Sequence, residues 1–190
     1  MLSTSTTSET PPGFRFHPNA YDLGAFESAA GTCEACGKGR TLRYTGSFYS
    51  VDEVDYICPW CVADGTAARV FDGEFSDYTG IDGVSPDPRV PADVDLDEAM
   101  EVSTRTPSYS SWQQEQWRSH CGRPCAFIGD IGASGLTDYL DEPDFAADVD
   151  GGLGWEASLL RTRLSEGGDL AGYLFRCLTC GAHRLHVDAS

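Results

Sequence analysis

Eight cysteines in four close pairs constrain this chain more than any other feature of its sequence. The pairs are Cys33/Cys36, Cys58/Cys61, Cys121/Cys125 and Cys177/Cys180. Pairs at this spacing bring two thiolates to one metal ion, and four thiolates complete a tetrahedral zinc site. The pattern therefore predicts two four-cysteine sites that hold two zinc ions.

The first predicted site joins Cys33/Cys36 to Cys58/Cys61. The 21 residues between the two pairs are enough for a hairpin that returns the second pair to the first, as in zinc ribbons. Gly37 follows the first pair and permits the tight turn of a zinc knuckle. A ribbon over about residues 31–62 is expected. The alternative is a redox centre at Cys58-Pro59-Trp60-Cys61, but the βαβ context of such centres is missing.

The second predicted site joins Cys121/Cys125 to Cys177/Cys180, which lie 51 residues apart. The assignment follows from pairing the four cysteines that remain. His120, His183 and His186 are alternative donors, so the use of a histidine in place of a cysteine stays open. Four thiolates leave no position for water, which is typical of structural rather than catalytic zinc.

The pattern of short apolar segments predicts an α+β fold, with zinc-ribbon-like hairpins packed with short helices. Residues 1–12 are expected to be a flexible tail, and residues 13–190 a single domain ending in a knuckle hairpin at about 172–188. Helices are predicted at about 62–71, 95–103 and 155–165. A fourth is predicted from Ser111 to His120, where Ser111 and Gln114 fit a capping box. Phe14–Pro18 is expected to be an edge strand.

The chain is predicted to be cytoplasmic. Residues 1–12 contain no apolar run of the kind that a secretory signal needs, and no later segment approaches the ~18 apolar residues of a membrane span. Stable disulfides are rare in a reducing cytoplasm, which favours metal binding for the cysteines.

Acidic residues dominate the charge, and the net charge is -17. Between Asp52 and Glu101 there are 14 carboxylates against two arginines. Such a field repels nucleic acid and attracts cationic proteins. The candidate partner-binding residues are Asp93, Asp95, Asp97 and Glu98. The alternative is that the acidity only keeps the protein soluble.

No catalytic motif accompanies the cysteines. There is no phosphate loop, no H-E-x-x-H and no Ser/His/Asp arrangement, so the chain is expected not to be an enzyme. The alternative is a cysteine-dependent redox or zinc enzyme. Four aromatic residues could line a ligand cleft or fill the core, and the core is favoured because aromatic rings carry large buried areas. They are Trp60, Tyr109, Trp112 and Trp117.

Four stretches resemble the CbrC family of bacterial proteins. They are FRFHP (14–18), FYSVDEVDYICPWCVADGTAARVFDGEF (48–75), TPSYSSWQQEQWRSHCGRPCAFIG (106–129) and GYLFRCLTCGAHRLHVD (172–188). The family pattern has an acid between the third pair of cysteines, where this chain has Gly122-Arg123-Pro124. The resemblance implies no enzymatic activity. It implies tolerance of, or immunity to, a bacteriocin, and with the acidic charge it favours a cationic nuclease-type toxin as partner.

Overall fold

The structure is a computed structural model that describes residues 10–190. The expected tail falls mostly on residues 1–9, which lie outside the described residues. Short helices occur together with small antiparallel sheets, which confirms the α+β class. The strands are β1 Phe26–Thr32, β2 Gly39–Tyr44, β3 Ser119–His120, β4 Arg123–Pro124, β5 Ala126–Ile131, β6 Leu170–Arg176 and β7 His183–Ala189. The α-helices are α1 Pro59–Ala63, α2 Thr66–Phe71, α3 Leu96–Arg105, α4 Pro143–Ala147 and α5 Ala157–Arg163.

All strand pairs within the described sheets are antiparallel. β1 pairs with β2, β3 pairs with β4, and β5, β6 and β7 form a three-stranded sheet in that order. Each strand therefore pairs with its neighbour in chain order. The two hairpins β1–β2 and β6–β7 each carry a pair of cysteines in the connecting turn.

Three apolar clusters form the core. The first packs the β1–β2 hairpin against α1 and includes Phe26, Tyr44 and Phe75. The second lies under β5 and β6 around Trp117 and Phe175, and the third covers the other part of the same sheet with α4 and α5. Tyr44 joins the first cluster to the rest of the chain, because its hydroxyl hydrogen-bonds to Ser108 Oγ at 2.6 Å.

The helix predicted at 95–103 is confirmed as α3. Asp95 caps its N-terminus by accepting a hydrogen bond from the backbone amide of Glu98 at 3.0 Å. The helix predicted at 62–71 is two helices, because Gly65 adopts φ 72° between α1 and α2. α1 starts earlier than expected, with Pro59 in its first turn.

Two predicted elements are wrong. No helix runs from Ser111 to His120, because the backbone amides of Trp112 and Gln113 both donate to the carboxylate of Asp188, at 3.0 and 3.1 Å. Phe14–Pro18 is not a strand. Its backbone is irregular and has one hydrogen bond to a strand, which the amide of Phe127 in β5 donates to the carbonyl of Phe16 at 2.8 Å.

No helix within residues 10–190 is both long and apolar enough to cross a membrane.

Candidate metal centres

Two cysteine knuckles share one local geometry. In each, the glycine after the second cysteine has positive φ: 68° at Gly37 and 82° at Gly181. The amide of each glycine donates to the carbonyl of the first cysteine of its pair, at 2.7 Å to Cys33 and 3.0 Å to Cys177. A residue with a Cβ is strained in this region of φ, so the turn requires glycine. Each turn presents its two sulfurs on the same side.

The first centre brings together the four cysteines that the sequence predicted. Cys33 and Cys36 come from the turn between β1 and β2, while Cys58 and Cys61 begin α1. The four sulfurs lie within 4.8 Å of one another, and Cys33, Cys58 and Cys61 are almost fully buried. Helical geometry places Cys58 and Cys61 on the same side of the first turn of α1.

The sulfur separations fit a tetrahedral zinc ion. Zinc–sulfur bonds of ~2.3 Å place tetrahedral sulfurs about 3.8 Å apart. The Cys33 and Cys61 sulfurs are 3.7 Å apart. The amide of Cys58 also points at the Cys33 sulfur, at 3.4 Å. This donor set is soft, closed and without a position for substrate, which matches structural zinc.

Three cysteines of the first centre have shifted pKa values. A hydrogen bond from the Cys58 thiol lowers the pKa of Cys33 to about 4, and the same bond raises the pKa of Cys58. Burial raises the pKa of Cys61 to about 12. Metal binding requires all four to be thiolates, so it must release protons from Cys58 and Cys61.

The second centre is built on a two-residue hairpin. β3 and β4 pair through Ser119–Pro124 and His120–Arg123, which leaves Cys121 and Gly122 as the turn. Both have positive φ, 54° and 69°, as a type I′ turn requires. Cys121 is one of two residues other than glycine with positive φ in the described part of the chain. The turn points His120 and Cys121 at the second knuckle.

The ligand group at the second centre contains a histidine. His120, Cys121, Cys177 and Cys180 have donor atoms that all lie within 4.8 Å of one another. His120 Nδ1 is 3.3 Å from the sulfurs of both Cys121 and Cys180, and these two sulfurs are 3.7 Å apart. Zinc bonds of ~2.0–2.1 Å to nitrogen and ~2.3 Å to sulfur give separations close to these.

Cys125 is not part of this group, which corrects the predicted four-cysteine set. Its side chain is fully buried in the second apolar cluster, and burial raises its pKa. Its sulfur is not among the donor atoms that lie within 4.8 Å of one another at this centre. His120 takes its place because the β3–β4 turn carries residue 120 toward Cys180 and leaves Cys125 at the start of β5. The signal in the sequence was the His120-Cys121 dipeptide.

A carboxylate orients the histidine. His120 Nε2 lies 3.0 Å from Asp144 Oδ2, at the start of α4. A metal-binding histidine usually donates its second ring nitrogen to such a group, which fixes the tautomer that leaves Nδ1 free for the metal. Nothing in the sequence pattern placed Asp144 beside His120, because 24 residues separate them.

The second centre is more exposed than the first. Cys121 and Cys180 lie at the surface, and only Cys177 is buried. Burial raises the pKa of Cys177, but hydrogen bonds from backbone amides and from His120 outweigh it and bring the value to about 6. The thiol of Cys180 raises the pKa of Cys121 to about 11. The expectation of two closed four-thiolate sites therefore holds for the first centre alone.

Three of the four candidate partner-binding acids lie at the surface: Asp93, Asp95 and Asp97 are exposed at the start of α3. Glu98 is 8% exposed and forms ion pairs with Arg15, at 2.9 Å, and with Arg123. These arginines lower the pKa of Glu98, with the hydrogen bond from Arg123 as the largest effect. Glu98 is therefore a structural residue, which corrects its assignment to the binding surface.

Most of the remaining candidates belong to the core or to ion pairs. Trp117 is 1% exposed and donates from Nε1 to the carbonyl of Cys125 at 2.7 Å. Trp60 packs under the guanidinium of Arg40 at 4.1 Å. His183 hydrogen-bonds to Glu142 at 2.8 Å, and His186 stacks on Tyr173. Tyr109 and Trp112 line two adjoining cavities.

The comparisons identify relatives of the same length. The profile of a family described as "Uncharacterised protein family (UPF0167)" matches residues 12–189. UPF0167 proteins of Mycobacterium bovis and Mycobacterium tuberculosis are each 37% identical over 191 residues, covering 98% of both chains. A UPF0167 protein of Pseudomonas aeruginosa is 40% identical over 187 residues, covering 93% of this chain and 96% of its own. No solved structure matches the chain.

Proposed function

The chain belongs to the UPF0167 family, and we propose that it is a zinc-stabilised, non-enzymatic bacterial protein that binds a cationic protein partner. The observation that carries the proposal is the first centre, where four sulfurs converge in the core and leave no open position. Zinc there supplies folding energy rather than chemistry. We therefore place the binding function at the surface of the protein, which is strongly acidic.

Two zinc ions per chain are proposed. Cys33, Cys36, Cys58 and Cys61 would hold one, and His120, Cys121, Cys177 and Cys180 the other. Elemental analysis of purified protein should find two zinc ions per chain. A value of one would remove the second centre from the proposal, and iron or no metal would contradict zinc at both.

The partner-binding surface is proposed at the start of α3. Asp93, Asp95 and Asp97 project from one turn and the segment before it, and all three are exposed. A helix N-terminus attracts negative charge, so acids are tolerated there without cost to folding. A cationic protein would be steered toward this charge at a rate that falls as salt rises, because charges are screened beyond ~8 Å at physiological ionic strength.

A triple substitution tests this surface without disturbing the fold. Asp93→Asn, Asp95→Asn and Asp97→Asn remove three charges, and asparagine caps a helix as well as aspartate does. Glu98 is left intact because it is paired with arginines. The matched control neutralises three exposed acids elsewhere, at Asp138, Asp141 and Asp169.

The assay is capture of proteins from a bacterial lysate at low and high salt, followed by measurement of binding to each purified candidate. We expect a basic protein whose binding is lost with the α3 triple variant and kept with the control. If both variants capture the same proteins with the same affinity, the α3 surface is not the binding site.

Bacteriocin tolerance is the finer proposal, and the resemblance to CbrC proteins supports it. In this proposal the cationic partner is a nuclease-type toxin in the cytoplasm, covered by the acidic surface. Cells expressing the chain should survive such a toxin better than cells expressing the α3 triple variant. Equal survival of the two, or of cells without the chain, would contradict it.

A redox or zinc-dependent activity at the second centre is the alternative. The observation that favours it is the exposure of Cys121 and Cys180, since reactive cysteines need access. Thiol probes should label neither cysteine in zinc-loaded protein if the centre is structural. Rapid labelling of Cys180 with zinc present, together with slow labelling of Cys36, would favour the reactive role.

A further inference from the structure

A cleft of about 550 Å³ lies away from both metal centres. One wall is formed by Leu23–Ala25 and Thr45–Ser47, which flank the β1–β2 hairpin, and the other by Ser108–Ser111 and β5. A second cavity of about 280 Å³ shares Ser110, Ser111 and Asp130 with the first. The two cavities therefore adjoin at these residues, and together they are called the groove, whose size suits a small molecule.

The charge inside the groove is negative. Asp130 lines both cavities, and among the described residues that line them none is Lys or Arg. Loss of hydration raises the pKa of Asp130, and the nearby charges of Glu166 and Asp188 raise it further. A carboxylate in such surroundings is stabilised by a cation and gains nothing from an anion.

The groove also offers hydrogen-bond acceptors. His17 is 1% exposed, and its Nδ1 lies 3.0 Å from the carbonyl of Pro107, so Nδ1–H donates and Nε2 is left as an acceptor. Nε2 has no hydrogen-bond partner among the described residues. This nitrogen is buried behind the wall of the groove, so the groups that a ligand can reach are the hydroxyls. The hydroxyls of Ser47, Ser110 and Ser111 line the same space.

Aromatic rings complete the walls. Tyr109 and Phe127 line the first cavity, and Trp112 and Tyr173 line the second. Trp112 is 51% exposed, and its Nε1 donates a hydrogen bond to the carbonyl of Gly168 at 2.7 Å. An exposed indole beside a carboxylate is the combination that recognises organic cations, because the ring face attracts positive charge.

We propose that this groove binds a small organic cation that carries an ammonium or guanidinium group. Asp130 pairs with the cation, Trp112 packs against it, and the serine hydroxyls hydrogen-bond to its N–H groups or to polar atoms further along the ligand. The site is separate from the α3 surface and from both metal centres, so it does not rest on the proposed function.

The test is binding of three cations and one neutral control at millimolar concentration, measured by ligand-observed NMR and calorimetry on the zinc-loaded full chain. Agmatine, putrescine and 2-phenylethylamine supply the cations, and 2-phenylethanol is the neutral match for the last. At least one cation should bind and the alcohol should not. Failure of all three cations, or equal binding of 2-phenylethylamine and 2-phenylethanol, would overturn the proposal.

Two pairs of variants locate the site. Asp130→Asn should weaken binding about tenfold, equivalent to about 1.4 kcal/mol, whereas Asp141→Asn, an exposed acid outside the groove, should leave it unchanged. Trp112→Leu should weaken it more than Trp112→Phe, since both lose the indole N–H and only the first loses the ring. Wild-type affinity in Asp130→Asn, in protein that keeps its circular dichroism spectrum, would place the cation elsewhere.

Discussion

Asp148 is a buried carboxylate that holds together several segments in the C-terminal half of the chain. It is 4% exposed and accepts four hydrogen bonds: two from Arg184 at 2.7 and 2.8 Å, one from Arg118 at 3.1 Å and one from the amide of Leu185 at 3.0 Å. Arg184 in turn donates to the carbonyl of Ser119 at 3.0 Å, next to the second metal centre. One carboxylate thus ties β3, β7 and the segment after α4 together.

Asp148→Asn keeps the size of the side chain and removes its charge. The amide oxygen can still accept about two of the four bonds, while the two partly buried arginines lose their counter-charge. Breaking a buried pair from one side costs about 3–5 kcal/mol. Arg118 keeps Asp82 at 3.0 Å and Arg184 keeps Ser119, so we expect the lower end of that range, about 3 kcal/mol of unfolding free energy.

The measurement is urea unfolding of zinc-loaded protein at neutral pH, with Asp150→Asn as the matched control. Asp150 is two residues away and also pairs with an arginine, Arg161 at 2.6 Å, but both side chains are exposed. Exposed pairs contribute about 0–1 kcal/mol. If Asp148→Asn costs no more than Asp150→Asn, the network around Asp148 is not what holds these elements together.

Three further predictions test other parts of the structure. Cys125→Ala should keep two zinc ions per chain by elemental analysis, and it should lose about 1–2 kcal/mol of stability because it leaves a small cavity in the core. Cys180→Ala should lose one zinc ion. Loss of zinc in Cys125→Ala would restore the four-cysteine set. Glu98→Gln should lower the free energy of unfolding in urea by about 2 kcal/mol and Asp97→Asn by less than about 0.5 kcal/mol, because only Glu98 is buried and paired. Equal losses would mean that Glu98 belongs to the exposed surface. Burial lowers the pKa of His17 from 6.5 to about 4. In this range the unfolded chain binds more protons than the folded chain, so the free energy of unfolding should fall by about 3 kcal/mol as pH drops from 6.5 to 4. His17→Asn should lack this part of the pH dependence when stability is measured in an acid titration. An unchanged dependence would mean that His17 is hydrated in the folded protein.

Elements set by neighbours in the sequence were predictable. The knuckles at Cys33–Gly37 and Cys177–Gly181 needed only two cysteines and a glycine that tolerates positive φ. α3 was predicted at about 95–103, and the Asp95 cap that begins it lies directly before it in the sequence. In each case the deciding interaction spans five residues or fewer, so the pattern alone carries the information.

Elements decided by distant residues were missed. Ser111 and Gln114 fit a capping box, but the amides that a helix would have used are bound by Asp188, 75 and 76 residues away. The choice of His120 over Cys125 has a similar origin. A Cys-Gly turn is not a strong hairpin signal, because the residues that favour positive φ at the first position are asparagine, aspartate and glycine. Only the pairing of β3 with β4 shows which donor reaches Cys180.

The exposure of the second centre does not make it dispensable to the fold. A metal ion that links Cys121 to Cys177 closes a loop of 55 residues, against 21 between Cys36 and Cys58. Because the entropy of loop closure grows with the logarithm of loop length, the second link restricts the unfolded chain by about 1 kcal/mol more than the first. That loop contains β5 and therefore Asp130, so the link also fixes one wall of the groove. A metal ion bound at the second centre would in this way stabilise the chain as strongly as one bound at the first, while Cys121 and Cys180 remain at the surface.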